Sequence, residues 1–496
     1  MRVYISTKKL LAITLLSVSS LSYAQKKVLK LADPLTSNMV VQQNQPFTVW
    51  GTATAGKEVK IVADWASPIA VYADKEGKFK GIVPAINTKK GDYTKHSLLI
   101  YSGKEKAQLT NLLIGELWIC SGQSNMQFGM KEVANAAAEI AAANNPNIRL
   151  FNTGLNFSNT PIDNVTGKWV ACTPETVKEF SAVGYYFGAM LQRELDVPIG
   201  LLFTGIGASA AQAYVPKEVL ADDPLLNSTY LDPYLKSEKS KEIITGGFSF
   251  EKVMRPYLLY NAMIHPFRNL SIKGVVWYQG EANHKEREAY TQIMYAMIGA
   301  WRNAFAQGNF PFYYVQIAPY YHDVEDPALN EDAFFREAQE KVSRFANTEM
   351  VVTMDVGEAK DLHPKNKKPI GLRLAKTALN RTYGRLTEQY KGPQFDYATF
   401  EGDRVTVNFI TESVGEGLQT NDGQAPRYFE VAGKDQVFYA ATAVIVGCKI
   451  VISSPKVKQP LAVRYAFTNY PVTNLENMHS IPAVPFRSDN WKEIEK

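Results

Sequence analysis

Ser124 is the first of several residues whose type and position could support acyl-transfer chemistry. It follows an apolar run from Leu112 to Cys120, which predicts a strand buried on both faces. A serine just past such a strand lies at the sheet edge, near backbone N–H groups that can stabilise a developing negative charge. The same pattern is equally typical of a Ser/Asn turn without a chemical role.

A serine nucleophile needs a base, and His363 has a suitable neighbour. Asp361 lies two residues before it. A carboxylate in that position can hold an imidazole in the tautomer that accepts a hydroxyl proton. The competing interpretation is a capping aspartate followed by a loop histidine.

Polar side chains also follow the predicted strand over residues 273–278. Gln279, Glu281 and Asn283 alternate there, and Gly280 permits a close backbone approach. The two side-chain amides could donate hydrogen bonds to an oxyanion. Capping of the following helix by Glu281 or Asn283 is the alternative.

Gly207 lies in a glycine loop that follows an apolar strand ending at Phe203. Its backbone N–H is a candidate donor to an anion. The loop lacks the full glycine pattern of a dinucleotide site and the lysine of a P-loop, so nucleotide binding is not indicated.

The order GQSNM, glycine loop, WYQGEAN and DLHPKN resembles the SGNH-type esterases, in particular the bacterial sialate O-acetylesterase-like family. The likeness extends through nearly the whole chain after residue 24, including the segments 197–200, 261–266 and 485–491. It implies a serine esterase acting on an acetylated glycan, without a metal or an organic cofactor. In this resemblance Ser124 matches the nucleophile and His363 the general base. Asp361 matches the orienting carboxylate, with Glu281 as the alternative.

The resemblance also implies an oxyanion hole. It would comprise the Ser124 N–H, the Gly207 N–H and one side-chain amide. Gln279 and Asn283 compete for that last place, and we favour Gln279.

One segment departs from the family pattern GGT-x-x-E-x-W. Gly207 is retained, but Ala208, Gln212 and Tyr214 replace the second glycine, the glutamate and the tryptophan. A neutral glutamine can hydrogen-bond but cannot supply a carboxylate's charge. We therefore expect the backbone donor to survive and the acyl pocket or substrate preference to differ.

Residues 109–390, which contain all these segments, alternate apolar runs with helical patterns. The predicted strands are 112–120, 147–151, 197–203, 273–278, 310–317 and 349–354. The predicted helices are 131–143, 181–195, 285–306, 334–345 and 368–382. This alternation predicts an α/β fold, with a parallel sheet flanked by helices and a ligand site at the carboxyl ends of its strands.

The regions on either side contain short β-forming runs separated by turn residues, which predicts a small β domain at each end. Residues 216–256 are polar and weakly periodic, and are left unassigned. The predicted organisation is a signal peptide (1–24), an N-terminal β-sandwich domain (25–108), an SGNH-type α/β esterase domain (109–390) and a C-terminal β domain (391–496).

The first 24 residues combine a basic start, an apolar run and a small residue at the expected cleavage point. We therefore expect export to the periplasm or the medium. Cleavage removes Arg2, Lys8 and Lys9, so that the 54 Lys+Arg become 51 against 49 Asp+Glu. Charge thus gives no indication of a nucleic-acid partner, and no later run is long and apolar enough to span a membrane.

The three cysteines and six histidines have no metal-binding spacing, so no metal site is predicted. At most one disulfide is possible, and Cys120 is expected to be a small buried residue.

Two alternatives to a sialate O-acetylesterase stay open. One is an acetylesterase for a plant polysaccharide such as acetylxylan or a pectin-type chain, which the same catalytic segments would serve. The other is a glycan-binding protein on an esterase core that has lost activity, for which the altered segment 207–214 is the only support.

Overall fold

The computed structural model describes residues 28–244, 246–322 and 325–492. The predicted signal peptide, residues 1–24, lies outside the described residues. The N-terminal region is built from seven strands in which buried and exposed residues largely alternate, as in β4, where Val59, Ile61 and Ala63 face inward. These strands are β1 (Lys30–Leu31), β2 (Val40–Gln42), β3 (Phe47–Thr52), β4 (Glu58–Ala63), β5 (Ile69–Tyr72), β6 (Lys78–Val83) and β7 (His96–Ser102).

A single long strand, β8 (Glu105–Gly122), connects this region to the centre of the molecule. Its first residues pair antiparallel with β7, and the stretch from Leu113 to Gly115 pairs with β2. From Leu112 onward every residue of β8 is buried, as the apolar run predicts. The predicted domain boundary after residue 108 falls inside this strand, and the division into domains stays a prediction.

The central sheet has the strand order β10-β9-β11-β8-β12-β13-β14. All neighbouring pairs are parallel except β10 with β9, which are antiparallel. The short edge strand β10 was not predicted. The remaining bounds are β9 (Asn145–Asn152), β10 (Trp169–Cys172), β11 (Ile199–Gly205), β12 (Gly274–Tyr278), β13 (Phe312–Val315) and β14 (Thr348–Val351).

Helices cover both faces of this sheet, which confirms the predicted α/β class. Alternate residues of β8 face the two sides. Leu117 and Ile119 pack into one apolar cluster, and Trp118 and Cys120 into the other. The helices are α1 (Ser124–Gln127), α2 (Ala136–Ala142), α3 (Pro174–Val177), α4 (Ala182–Leu195), α5 (Lys217–Asp222), α6 (Pro224–Leu226), α7 (Asp232–Lys236), α8 (Glu288–Phe305), α9 (Glu331–Val342), α10 (Lys368–Arg381) and α11 (Thr411–Val414).

Three details differ from, or complete, the sequence predictions. The helix predicted over 131–143 is confined to α2, which buries none of its residues. The unassigned stretch 216–256 contains the short helices α5, α6 and α7. Cys120 is buried as predicted, and all three cysteines are unpaired.

The C-terminal region adds small β-sheets that pack their own apolar cluster, so extra β domains are present at both ends. Its strands are β15 (Phe395–Glu401), β16 (Arg404–Phe409), β17 (Leu418–Thr420), β18 (Phe429–Ala432), β19 (Phe438–Ala440), β20 (Thr442–Val446), β21 (Lys449–Ser453), β22 (Ala462–Tyr465), β23 (Leu475–Asn477) and β24 (Phe486–Arg487). Among the described residues, no helix combines the length and apolarity needed to cross a bilayer.

Candidate active site

Ser124 occupies the first position of α1, two residues after the end of β8. The turn between them depends on Gly122, whose φ is +138°. A Cβ at this position would lie 2.1 Å from the Tyr278 carbonyl oxygen of β12, so a larger residue would disrupt the pairing of β8 and β12. The turn places the Ser124 side chain, partly exposed, at the carboxyl edge of the central sheet.

His363 lies in the loop between β14 and α10 and meets Ser124 at this edge. Its Nε2 is 2.8 Å from Ser124 Oγ, a normal hydrogen-bond distance. Burial lowers the pKa of His363, and the nearby charge of Lys367 lowers it further. The lowered pKa favours the neutral imidazole, the form that can accept a proton from the hydroxyl.

Asp361 lies beside the base but does not hydrogen-bond to its ring. Asp361 Oδ1 accepts the backbone N–H of His363 at 2.8 Å, whereas His363 Nδ1 is 3.9 Å away. The second distance is too long for a hydrogen bond. Asp361 therefore shapes the His363 loop and supplies a nearby negative charge.

Glu281, the alternative carboxylate, lies beneath the serine turn. Its Oε1 accepts a hydrogen bond from Asn125 Nδ2 at 2.5 Å. Burial raises the pKa of Glu281. Its Oε2 is buried and has no hydrogen-bond partner among the described residues. In this structure Glu281 thus holds the residue after the nucleophile.

Asn125 and Lys367 complete a buried network that the sequence did not reveal. Lys367 Nζ donates to Asn125 Oδ1, and Asn125 Nδ2 also donates to the Leu362 carbonyl at 3.1 Å. Lys367 is fully buried, and its ammonium group lies over the ring of Phe128. Burial lowers the pKa of Lys367 to about 7, against the opposing influence of Glu281. The network ties the Ser124 turn, the β12 loop and the His363 loop together.

Gly207 brings a backbone N–H close to the nucleophile. A Cβ built on Gly207 would lie 3.4 Å from Ser124 Cβ. The Gly207 N–H donates to Gln127 Oε1 at 2.8 Å, and the Gln127 side chain is exposed. An amide oxygen thus occupies the hydrogen-bonding position that a substrate oxygen would need at this donor.

Gln279 and Asn283 were predicted as alternative oxyanion donors, but their amide hydrogens serve other partners. Gln279 Nε2 donates to the Ser209 carbonyl and to Asn283 Oδ1. Asn283 Nδ2 donates to Gln212 Oε1 and to Glu286. Both side chains are buried, and both hydrogen-bond to the segment 207–214. Neither therefore has an amide hydrogen left for an oxyanion in this arrangement.

The replaced residues of the segment 207–214 have defined contacts. Gln212 Oε1 accepts from Asn283, and Gln212 Nε2 donates to the Met254 carbonyl at 3.1 Å, which a carboxylate could not do. The Tyr214 hydroxyl is 3.1 Å from the Gly122 carbonyl and 2.9 Å from Ser209 Oγ. Ala208 has a φ of +60°. The segment is thus held by several hydrogen bonds and lies next to Ser124.

A second cluster lies beside the β12 loop. His284 Nδ1 is 3.3 Å from Asp332 Oδ1, and His322 Nε2 is 2.9 Å from Asp332 Oδ2. The ligand atoms lie within 4.8 Å of one another, close enough to consider a metal ion. However, the two imidazoles stack at 4.5 Å with an interplanar angle of 18°. Stacked parallel rings cannot both direct a lone pair at one ion, so this geometry suits hydrogen bonding to Asp332.

Comparisons with known proteins place this chain among carbohydrate esterases. A family model described as "Carbohydrate esterase, sialic acid-specific acetylesterase" matches residues 242–380, which include the β12 loop and His363. A solved carbohydrate acetylesterase from Xanthomonas citri has 33% sequence identity and a TM-score of 0.82, over 93% of this chain and 100% of that chain. The chain belongs to the carbohydrate esterase family.

Sialate O-acetylesterases of mammals are also similar to this chain. The sialate O-acetylesterase of Mus musculus is 28% identical over 322 residues, and that of Homo sapiens is 28% identical over 312 residues. Each alignment covers 57% of this chain, and 59% and 56% of the respective relative. The chain therefore matches somewhat more than half the length of these curated relatives.

Proposed function

We propose that this member of the carbohydrate esterase family is an SGNH-type serine esterase that removes O-acetyl groups from a glycan, with O-acetylated sialic acid as its preferred substrate. The observation that carries the proposal is the 2.8 Å contact between Ser124 Oγ and His363 Nε2 at the carboxyl edge of the sheet. Both the family model and the mammalian relatives have sialic acid esterase in their descriptions, which supports the choice of substrate.

The proposed reaction has two steps. His363 accepts the Ser124 proton while Oγ attacks the acetyl carbonyl, and the resulting oxyanion receives hydrogen bonds from the N–H groups of Ser124 and Gly207. The bond between the acetyl carbon and the sugar oxygen then breaks, His363 gives its proton to that oxygen so that the sugar leaves as an alcohol, and the acetyl group remains on Ser124 Oγ. Water attacks the acetyl-enzyme with His363 again as base, and acetate leaves. Asp361 stabilises the imidazolium form of His363 through its charge.

Binding of the carbonyl oxygen requires the Gly207 N–H to exchange partners. Gln127 Oε1 accepts this N–H at 2.8 Å and sits on an exposed side chain that can turn away into solvent. The substrate carbonyl oxygen would then take the place of the Gln127 amide oxygen as the acceptor of the Gly207 N–H. The exchange leaves no donor unsatisfied, which keeps its cost low.

The sequence of residues 1–24 supports export as part of this proposal. An exported esterase would meet acetylated glycans outside the cytoplasm. Mass spectrometry of the protein recovered from the periplasm and from the medium tests this step. Cleavage after Ala24 predicts a mass that corresponds to a chain beginning at Gln25.

The direct test measures acetate released from 9-O-acetyl-N-acetylneuraminic acid by the wild type, Ser124→Ala and His363→Ala proteins. We expect each variant to lose several orders of magnitude in kcat, since a nucleophile and its base act as a unit. Background rates for the wild type on this ester and on 4-nitrophenyl acetate would overturn the proposal, and would favour a glycan-binding protein.

A polysaccharide acetylesterase is the second candidate. It fits the similar Xanthomonas citri structure, 33% identical to this chain, whose description is a carbohydrate acetylesterase and does not specify sialic acid. Acetate release from acetylxylan, measured beside the sialic acid ester, separates the two. A kcat/KM at least tenfold higher on acetylxylan would replace sialic acid as the preferred substrate.

A further inference from the structure

The cluster of His284, His322 and Asp332 is not needed for the ester chemistry described above. Asp332 is almost fully buried, whereas the two imidazole side chains are 19% and 28% exposed. The cluster is therefore a buried carboxylate beneath two partly accessible rings. Polar groups that are partly accessible and held in place by a buried carboxylate are candidates for ligand binding.

The cluster lies between the two loops that carry the reacting groups. His284 follows Glu281 by three residues, and Glu281 holds Asn125 next to the nucleophile. On the other side, the Tyr321 N–H, next to His322, donates to the Ala359 carbonyl in the His363 loop at 3.3 Å. The imidazole pair thus belongs to the same edge of the sheet as Ser124.

Asp332 fixes the hydrogen positions on both rings. Burial alone would raise the pKa of Asp332, but hydrogen bonds from His284 and His322 outweigh it and bring the pKa to about 2. An ionised carboxylate only accepts hydrogen bonds, so His284 Nδ1 and His322 Nε2 must carry the hydrogens that face it. In neutral His284 the other nitrogen, Nε2, is then an acceptor.

The backbone around Asp332 is hydrogen-bonded to Asn469. The Asp332 backbone N–H donates to Asn469 Oδ1 at 3.0 Å, and the Arg336 guanidinium, also buried, donates to the Asn469 carbonyl at 3.3 Å. Asn469 belongs to the C-terminal region. The helix that carries Asp332, α9, is thus hydrogen-bonded to the C-terminal region next to the imidazole pair.

We propose that His284 and His322, oriented by Asp332, form the subsite for the sugar part of the ester, with His284 Nε2 accepting a hydrogen bond from a sugar hydroxyl. The proposal rests on the esterase function proposed above. A fixed acceptor is suited to a hydroxyl donor, and its position beside the Ser124 edge suits the alcohol portion of a substrate whose acetyl group lies at the nucleophile.

The test compares kcat/KM on 9-O-acetyl-N-acetylneuraminic acid with kcat/KM on 4-nitrophenyl acetate, which has no sugar. For His284→Phe, which keeps a stacking ring but no acceptor, we expect the ratio of the two values to fall about tenfold, the effect of one hydrogen bond. His284→Gln, which retains an acceptor oxygen, should recover part of the ratio. An unchanged ratio, whether or not both kcat/KM values fall, would overturn the subsite.

His96→Phe is the matched control. His96 Nδ1 also bonds to a carboxylate, Asp64 Oδ1 at 2.7 Å, but in the N-terminal region away from the sheet edge. We expect this variant to keep the wild-type ratio. A chelator tests whether a cation occupies the cluster. If the chelator lowers the wild-type ratio of the two kcat/KM values and added Zn²⁺ restores it, a cation is bound there and the proposal is overturned.

Failure of the subsite and failure of the esterase proposal give different results. If the wild type shows no Ser124-dependent acetate release, the esterase proposal fails, and calorimetric titration of N-acetylneuraminic acid into wild-type and His284→Phe proteins tests the subsite alone. Tighter binding to the wild type supports the subsite, and equal or absent binding overturns it. If hydrolysis depends on Ser124 but His284→Phe has the wild-type ratio of kcat/KM values, only the subsite proposal fails.

Discussion

Lys367 Nζ donates a hydrogen bond to Asn125 Oδ1, so a buried ammonium group links the residue after Ser124 to the chain just beyond His363. Ser124 and His363 are 239 positions apart in the chain, and their contact depends on two loops keeping their relative positions. A positional error of about 1 Å between reacting groups can cost about a hundredfold in rate. The buried lysine is therefore a positioning residue.

Replacing Lys367 with methionine should lower kcat on 4-nitrophenyl acetate by about 10–100-fold, because it leaves Asn125 Oδ1 without its donor and Glu281 without a nearby cation. Steady-state kinetics on purified, folded protein measures this. The control is Lys368→Met, since Lys368 is half exposed and forms a surface ion pair with Glu139 at 2.9 Å. That change should alter kcat less than twofold. Similar losses in both variants would contradict the positioning role.

The pH dependence of kcat/KM gives an independent readout. His363 must be neutral to accept a proton, and burial and the charge of Lys367 both lower its pKa below the ordinary value of 6.5. Activity should therefore rise with pH through a midpoint below 6.5 and be retained into mildly acidic buffers. In Lys367→Met the charge is lost, so the midpoint should move upward.

Stopped assays from pH 4.5 to 8.5 with 4-nitrophenyl acetate measure both midpoints. Lys368→Met serves again as the control and should keep the wild-type midpoint. A wild-type midpoint at or above 6.5, or a downward shift in Lys367→Met, would contradict the assigned electrostatics.

Gln127 offers a test of the backbone donor at Gly207. In Gln127→Ala the competing amide oxygen is removed, so the Gly207 N–H is available, and KM for 4-nitrophenyl acetate should fall about 2–10-fold. Gln127→Glu should act in the opposite direction, because a carboxylate accepts the N–H more strongly and repels the oxyanion. Initial rates over a range of 4-nitrophenyl acetate concentrations give KM for both variants and for the wild type. Changes of the same sign in both variants would show that Gln127 acts through packing alone.

Ala208 predicts a stability effect. Its φ of +60° is unfavourable for a residue with a Cβ, so Ala208→Gly should stabilise the protein by about 1 kcal/mol or less. Ala210, two residues on, is buried with a φ of −95°. Ala210→Gly should therefore destabilise, by about 0.5–1 kcal/mol from added chain freedom alone. Thermal unfolding of the two variants should shift in opposite directions, and a common direction would refute this account.

Much of the site follows from local sequence. The apolar run into Ser124 predicts a central strand, and the apolar run to Tyr278 predicts its neighbour, because strands buried on both faces of a parallel sheet are nearly continuously apolar. Placing both at one edge then follows from topology. The antiparallel edge strand β10 was missed, since four residues carry little periodicity.

The direction of individual side chains is the part that sequence does not specify. Gln279 and Asn283 have the chemistry of oxyanion donors, yet their amides turn toward Ser209 and Gln212, residues about 70 positions away. Lys367 lies in a lysine-rich stretch typical of a solvated surface. Its burial depends on Asn125 and on aromatic rings contributed by distant elements.

The continuity of β8 has a consequence for how the molecule can be divided. A truncation that begins at residue 109 would delete β2, whose Val40–Gln42 pair with Leu113–Gly115, and would leave that part of β8 as an open edge. Unpaired edges invite intermolecular association. The N-terminal strands and the strand that presents the nucleophile therefore constitute one cooperative unit, which should melt in a single transition and resist expression in pieces.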